Sequence, residues 1–249
     1  MTELSCRGLQ KAFGGLVVTD DLALSVASGE IHALIGPNGA GKTTALAQLS
    51  GELRPDAGTV WLDDADITEL SLPQRVHAGV ARSYQISSVF RDFTARENVE
   101  LALQAMDRHS FRFFRPAARN AARAERAGGL LDAVGLGEVA GSSAHRLSHG
   151  QTRQLEIAMA MASDPQVLLL DEPMAGMAPD EATRLAELIR SLAEAVAVLL
   201  VEHDMDVVFS VADRISVLHQ GSLIASGDPD QIRADPDVHR LYLRDDVES

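Results

Sequence analysis

Residues 29–44 read GEIHALIGPNGAGKTT, and this stretch decides the fold. The apolar run from Ile31 to Ile35 predicts a buried strand, and the residues from Lys42 to about Leu49 predict a helix. Between them, GPNGAGKT, Gly36 to Thr43, matches the pattern G-x-x-x-x-G-K-[ST]. A strand, a glycine-rich turn and a helix in this order predict a phosphate-binding loop at the edge of a sheet.

The residue types of this loop fit the phosphates of a nucleotide. Glycines let backbone N–H groups turn inward around a phosphate, and the helix N-terminus adds the positive end of its dipole. Lys42 can reach the β and γ oxygens, and the Thr43 hydroxyl can ligate Mg²⁺. The alternative is a glycine-rich turn that binds nothing. The predicted nucleotide-binding residues of the loop are Gly36, Pro37, Asn38, Gly39, Ala40, Gly41, Lys42, Thr43 and Thr44.

Composition limits the classes of protein that the chain can belong to. Its 249 residues are 46% hydrophobic and 23% charged, which is typical of one large globular domain or of a core with a smaller lobe. A formal charge of -14 disfavours broad binding to nucleic acid, so we expect no nucleic-acid partner. The single cysteine, Cys6, leaves no pair for an internal disulfide, and the first residues do not resemble a signal peptide. We therefore expect a cytoplasmic location. The longest apolar runs are strand-length, so any membrane association requires a partner.

The second half of the chain predicts a parallel sheet. QVLLLDEP (166–173) and VAVLLVEHD (196–204) are apolar runs separated by a helix-like segment, which is βαβ alternation. The N-terminal segments and TVWLD (59–63) are strand-like, and RISVLHQGSLIASG (214–227) predicts a hairpin. The pattern between about Arg96 and Ala162 is helical. We therefore predict an α/β core, residues 1–90 and 163–249, with a helical lobe inserted at residues 91–162.

Polar side chains follow the predicted strands at the edge where the phosphate-binding loop lies. Asp171 can hold Mg²⁺ through water, and Glu172 can polarise the attacking water. His203 follows the next strand and could contact the γ-phosphate and that water. Gln85, between the core and the helical insertion, could be a ligand of Mg²⁺ and water. For each residue the alternative is a structural or solvated side chain.

A second candidate anion site opens a helix-like run at LSHGQ, residues 147–151. Ser148 and Gly150 at a helix N-terminus make a cluster of hydrogen-bond donors suited to a phosphate. The alternative is a simple N-cap at Ser148, which is compatible with an anion site.

The order of these motifs resembles that of the ATP-binding cassette (ABC) ATPase family over nearly the whole chain. LSHGQ corresponds to the family's LSGGQ signature, with His149 in place of the first central glycine. KAFGGL (11–16), EHDM (202–205) and DPDVHRLYL (235–243) resemble the ATPase subunits of branched-chain amino acid importers. A departure is Ala178, where the family usually has an aspartate in a loop that couples the two subunits.

This resemblance implies a P-loop NTPase fold with a mainly parallel sheet, an N-terminal antiparallel β portion and a helical lobe. It implies ATP and Mg²⁺ as ligands, with Phe13 stacking on adenine. It also implies a head-to-tail dimer, homo- or heteromeric, in which Ser148, Gly150 and Gln151 contact ATP held by the neighbour. Permease subunits would be direct partners on the inner face of the membrane, and a periplasmic binding protein an indirect one.

Three alternatives follow from the same residues. One is an ABC ATPase of another transporter, for urea, another small solute or lipid export. Another is an ABC ATPase that moves no solute, and the last is an unrelated P-loop kinase. The basic stretch at residues 108–127 is either a solvated helix face or a contact with permease subunits or anionic headgroups.

Overall fold

The computed structural model of the chain describes residues 2–83, 89–106, 117–238 and 240, with only the backbone described for 117–120. Gln85 and residues 108–116 of the basic stretch therefore lie outside the described residues. Within that stretch, Arg126 forms an ion pair with Asp164, and Arg123 donates to Gln104. Both arginines therefore contact other residues of the same chain.

A six-stranded sheet forms the centre of the fold, in the order β10-β9-β3-β8-β7-β6. All neighbouring strands are parallel except the edge strand β10, which pairs antiparallel with β9. Every residue of β3, β7 and β8 is buried, as their continuous apolar runs predict. The strands of this sheet are β3 (Ile31–Ile35), β6 (Val80–Arg82), β7 (Val167–Asp171), β8 (Ala197–Val201), β9 (Arg214–His219) and β10 (Ser222–Gly227).

A second, antiparallel sheet has the order β2-β1-β4-β5 and is built from the N-terminal part of the chain. Leu4 and Leu24 of this sheet belong to the same buried apolar cluster as Leu46 and Leu199, so the sheet packs against the first helix and the parallel sheet. Its strands are β1 (Glu3–Phe13), β2 (Leu16–Ala27), β4 (Ala57–Leu62) and β5 (Ala65–Asp66). The predicted α/β class with an N-terminal antiparallel portion is confirmed.

Helices flank the two sheets. In the described residues they are α1 (Lys42–Ser50), α2 (Leu72–Ala78), α3 (Ala95–Met106), α4 (Ala117–Ala133), α5 (His149–Met161), α6 (Pro179–Ala193), α7 (Met205–Val211), α8 (Pro229–Ala234) and α9 (Pro236–Val238). Two short 3₁₀ turns, Gly137–Val139 and Ala144–Arg146, precede α5. Among the described helices, not one is long and apolar enough to cross a membrane.

The helical segment is joined to the parallel sheet by buried apolar contacts. Leu131 of α4 and Leu155 of α5 belong to one cluster with Leu168 and Leu170 of β7. The strand β6, which sequence periodicity does not predict, forms the sheet edge beside this segment because Val80 pairs with Val167. The division into a core at 1–90 and 163–249 and a lobe at 91–162 therefore stays a prediction, since one cluster spans both parts.

A buried arginine fixes the end of α1 that lies away from the phosphate-binding loop. Arg75 is 1% exposed, and its guanidinium donates to the carbonyl oxygens of Gln48, Leu49, Thr68 and Leu70. Two of these carbonyls belong to the last turn of α1, where such groups lack helical partners. Burial lowers the pKa of Arg75 to about 10, so the group is still charged at neutral pH.

Candidate nucleotide and hydrolysis site

The phosphate-binding loop connects β3 to α1, as the sequence predicts. Two of its glycines are required by close packing. A Cβ at Gly36 would lie 2.1 Å from the carbonyl oxygen of Leu218, and one at Gly41 would lie 2.3 Å from that of Val18. Both residues also have a positive φ, 152° and 107°. Only glycine fits these two positions, so the loop is held between the two sheets.

Lys42 points back into the loop that precedes it. Its Nζ donates to the carbonyl oxygens of Gly36 at 2.6 Å and of Pro37 at 3.1 Å. Burial lowers the pKa of Lys42, while the nearby carboxylates of Glu172 and Asp171 act in the opposite direction. The ammonium is thus held at the inner face of the loop, where a phosphate oxygen could reach it.

A cleft of about 380 Å³ opens over this loop. It is lined by residues from three parts of the fold, namely Val18, Asn38, Gly39, Ala40, Gly41, Lys42, Thr43, Thr44 and Glu172. The β1–β2 hairpin, whose Val18 lines this cleft, exposes Phe13, Leu16 and Val17 at its tip by 52%, 66% and 53%. An exposed aromatic ring beside a phosphate-binding cleft is available to stack on a base.

Asp171 ends β7 with its carboxylate 1% exposed. Its Oδ2 accepts a hydrogen bond from Arg82 Nη2 at 2.8 Å, whereas its Oδ1 is buried and has no partner among the described residues. An unpartnered buried carboxylate oxygen fits the water shell of a cation such as Mg²⁺. In the described part of the chain, no group of three or more His, Cys, Asp or Glu is arranged as a metal site. Phosphate and water oxygens would therefore have to supply most of the ligands.

Glu172 and His203 are brought together at the ends of neighbouring strands. Glu172 Oε1 lies 3.8 Å from His203 Nδ1, and their side chains are 24% and 56% exposed. Glu172 has a φ of 46°, a left-handed conformation that costs a non-glycine residue about 1–3 kcal/mol. Its N–H donates to the carbonyl oxygen of Val201, which keeps it in the β7–β8 ladder. The strained turn directs this carboxylate into the cleft.

A buried acid lies behind this pair. Glu202, with a side chain 1% exposed, accepts the N–H of Met174 at 2.9 Å and the N–H of His203 at 3.3 Å. Burial raises the pKa of Glu202, and the two backbone donors act against that rise. A cavity of about 740 Å³ between α6 and α7 is lined in part by Glu202 and His203.

The signature residues lie elsewhere and begin α5. Ser148 is the N-cap, accepting the N–H of Gln151, while the Gln151 side chain accepts the N–H of Ser148. The Ser148 hydroxyl also donates to Glu181 of α6 at 3.1 Å, and His149 Nε2 lies 3.1 Å from the carbonyl oxygen of Ala175. The predicted N-cap is confirmed. Among the described residues that line the cleft over the chain's own phosphate-binding loop, none comes from the signature.

Sequence reasoning missed three charged residues that the fold brings to these sites: Arg82, Glu181 and Glu202. Glu202 follows an apolar run at a strand end, which is the signal that singled out Asp171 and His203, whereas Arg82 belongs to a three-residue strand that shows no such run. Glu181 carries no such signal, because an acid in the first turn of a helix is common.

Comparisons with known proteins agree with this geometry. A family model described as ABC transporter matches residues 19–175. The high-affinity branched-chain amino acid transport ATP-binding protein LivG of Escherichia coli (strain K12) is 41% identical over 250 residues, covering 96% of this chain and 97% of that protein. The lipopolysaccharide export system ATP-binding protein LptB of Acidithiobacillus ferridurans is 36% identical over 243 residues, covering 97% of both.

Solved structures give the same result. A crystal structure of the ADP conformation of an ATP-binding cassette of an ABC transporter matches with a TM-score of 0.86 at 27% identity, covering 98% of this chain and 99% of that one. The matches exclude an unrelated P-loop kinase, because they extend over the signature helix as well as the phosphate-binding loop. The chain therefore belongs to the ABC transporter family, as an ATP-binding cassette that hydrolyses ATP.

Proposed function

We propose that this chain powers an importer of branched-chain or related amino acids, as one of two ATPase subunits bound to permease subunits on the inner face of the membrane. The observation that carries the proposal is the 41% identity with LivG across almost the full length of both proteins. In such an importer a periplasmic binding protein would deliver the solute, which never contacts this chain. The 36% identity with LptB favours lipid export as the second candidate.

The phosphate-binding loop would hold ATP in the cleft beside β3. Backbone N–H groups between Gly36 and Thr44, other than at Pro37, which has none, would surround the phosphates. Lys42 would neutralise part of their charge, and Phe13 would stack on the adenine ring. Bound Mg²⁺ would be held by Thr43, Asp171 and Gln85, where it would neutralise charge on the phosphates. Oδ1 of Asp171, which has no hydrogen-bond partner in the described part of the chain, supports this assignment, and Gln85 lies outside that part.

Hydrolysis would begin at the carboxylate of Glu172. Glu172 takes a proton from a water molecule, whose oxygen attacks the γ-phosphorus while the bond to the bridging oxygen breaks, giving ADP and phosphate. His203, whose Nδ1 lies 3.8 Å from Glu172 Oε1, orients the water and the γ-phosphate.

The variant Glu172→Gln tests this step: it should still bind ATP and lower turnover by about 10²-fold or more. Turnover within a few-fold of wild type would contradict the assignment, and His203→Ala should likewise reduce turnover more than binding.

The signature would serve the neighbouring subunit. Ser148, Gly150 and Gln151 lie at the N-terminus of α5 and outside the lining of the cleft over the chain's own loop. ATP held by the second subunit would supply the phosphate that binds this donor cluster. Bound ATP would therefore hold the two subunits together, and its hydrolysis would let them separate.

Mixing two inactive variants tests this trans arrangement. Lys42→Ala disables the loop, and Ser148→Arg blocks the signature with a bulky cation. A mixed dimer carries both lesions in one site and leaves the other intact, so ATPase activity should return to at most about half. An absence of recovery would indicate either action within one chain or obligatory coupling of the two sites. ATP-dependent dimerisation of the same mixtures distinguishes these outcomes, because only the coupled dimer still associates with ATP. The dimer should also be tested with a homologous ATPase subunit as partner, one lesion in each chain.

Uptake of labelled leucine tests the solute class. Cells that lack this gene should recover uptake when they express the wild-type chain and fail to recover it with Lys42→Ala. Unchanged leucine uptake, together with a defect in lipid export, would favour the second candidate function.

A further inference from the structure

We infer that Glu202 is a positioning residue for ATP hydrolysis, holding Glu172 and His203 in one arrangement through the backbone of the two loops that carry them. The inference rests on the proposed roles of Glu172 and His203. Neither the family match nor the signature assigns a role to this residue.

The position of the Glu202 carboxylate is unusual for an acid. It is 1% exposed and its two oxygens accept from two different loops. Oε1 accepts the N–H of Met174, two residues after Glu172, and Oε2 accepts the N–H of His203. One buried side chain therefore connects the end of β7 to the end of β8.

The link to Met174 bears on the strained turn at Glu172. A non-glycine residue keeps a φ of 46° only where the surrounding contacts hold it there. On one side, the Glu172 N–H is held by Val201. On the other, the chain is held by Met174 donating to Glu202. Without this second hydrogen bond, the turn has a route to relax and to move the Glu172 carboxylate out of the cleft.

The link to His203 acts on the second member of the pair. Glu202 Oε2 lies 3.9 Å from His203 Nδ1, which also lies 3.8 Å from Glu172 Oε1. The ring nitrogen is thus flanked by two carboxylates, and Glu202 is the buried one. With a side chain 56% exposed, His203 has few contacts that fix its ring, so the fixed carboxylate beside it restricts the orientation of the ring.

Glu202 lies outside the cleft proposed for the nucleotide. It is absent from the lining of the cleft over the phosphate-binding loop and lines the cavity between α6 and α7. Removing it should therefore change the chemical step and leave ATP binding at Lys42 and Thr43 in place. This separation between turnover and binding is what a positioning role predicts.

The experiment measures kcat, KM and affinity for a non-hydrolysable ATP analogue in purified Glu202→Ala and Glu202→Gln. We expect Glu202→Ala to lower kcat by about 10- to 100-fold with analogue affinity within about threefold of wild type. Glutamine keeps the volume, and its oxygen can accept from Met174, but its amide nitrogen cannot accept from His203, so Glu202→Gln should recover part of the loss. Equal losses in the two variants, or an unchanged kcat in Glu202→Ala, would overturn the inference.

A matched control is Glu156→Gln, which alters another buried acid in α5, paired with Arg153. It should keep the kcat of the wild type, and thermal unfolding of each variant shows whether a loss comes from instability.

If Glu172→Gln and His203→Ala lose turnover while Glu202→Ala does not, only the present inference fails. If they retain turnover, the proposed roles themselves fail. In the His203→Ala background, Glu202→Ala should cost less than it does alone, and a full multiplicative loss would contradict action through His203.

Discussion

The hydroxyl of Ser148 donates to the carboxylate of Glu181, Oγ to Oε1, at 3.1 Å. Glu181 also lies against Gly150, where a Cβ would meet its carboxylate carbon at 3.2 Å. The first turn of α6 thus supplies an anion to the N-terminus of α5, which favours negative charge. In the isolated chain, the donor group proposed for a neighbour's phosphate is already engaged by an internal carboxylate.

Glu181→Gln should therefore strengthen ATP-dependent dimerisation. A phosphate that approaches Ser148 must displace a like charge, and at an exposed position this repulsion is worth about 1 kcal/mol, or about fivefold in the dimerisation constant. Sedimentation of the Glu172→Gln protein with and without Glu181→Gln, at several ATP concentrations, measures the change. Glu187→Gln, on the same helix, is the control and should change nothing. Weaker dimerisation in Glu181→Gln would show that the carboxylate assists the closed state.

The ion pair between Arg82 and Asp171 should matter for stability. Both side chains are almost fully buried, 5% and 1% exposed, so Arg82→Met leaves a buried carboxylate without its partner. We expect the free energy of unfolding to fall by about 3–5 kcal/mol. Arg54→Met is the control, because Arg54 and Glu69 are 73% and 66% exposed and should contribute less than about 1 kcal/mol. Urea denaturation measures both, and equal effects would refute the argument.

His32 should make the protein less stable as the pH falls. The ring is fully buried between the carbonyl oxygen of Ser25 and the hydroxyl of Ser216, and burial lowers its pKa to about 4. Between the unfolded pKa of about 6.5 and this value, the unfolded chain binds a proton that the folded chain does not. Stability is therefore retained above about pH 6.5 and lost as the pH falls towards 4.

The difference between wild type and His32→Gln isolates this effect from that of the carboxylates. The wild type should lose about 2 kcal/mol more than the variant between pH 7 and pH 5. The control His77→Gln alters an exposed histidine and should follow the wild type. Identical pH dependence in wild type and His32→Gln would show that the buried ring is not responsible.

Ala178 is the N-cap of α6 and offers no side-chain acceptor, although its φ of -68° and ψ of 149° suit a capping residue. Ala178→Asp should raise the free energy of unfolding by about 1 kcal/mol, because its carboxylate can accept an N–H of the first turn. Ala178→Asn tests whether the hydrogen bond or the charge is responsible, since Asp180 and Glu181 already place acids there. No gain in either variant would contradict the capping argument.

The sequence by itself determined those elements and contacts that form between residues close together in the chain. β3, the glycine-rich loop and α1 follow one another without interruption, so their residue types suffice to predict them. The convergence of Asp171, Glu172 and His203 was also predictable, because buried strands in βαβ alternation must be parallel and their ends meet at one edge. The N-cap at Ser148 is likewise local, since its partner Gln151 is three residues away.

Only the tertiary structure decided which charged side chains meet. Arg82 and Asp171 are 89 residues apart in the chain, Ser148 and Glu181 are 33 apart, and Met174 and Glu202 are 28 apart. The three residues of β6 are too few to show a periodicity, and their place at the sheet edge comes from pairing with β7. Periodicity reports which face of an element is buried, whereas contacts between distant polar groups depend on how the elements pack, which no local pattern encodes.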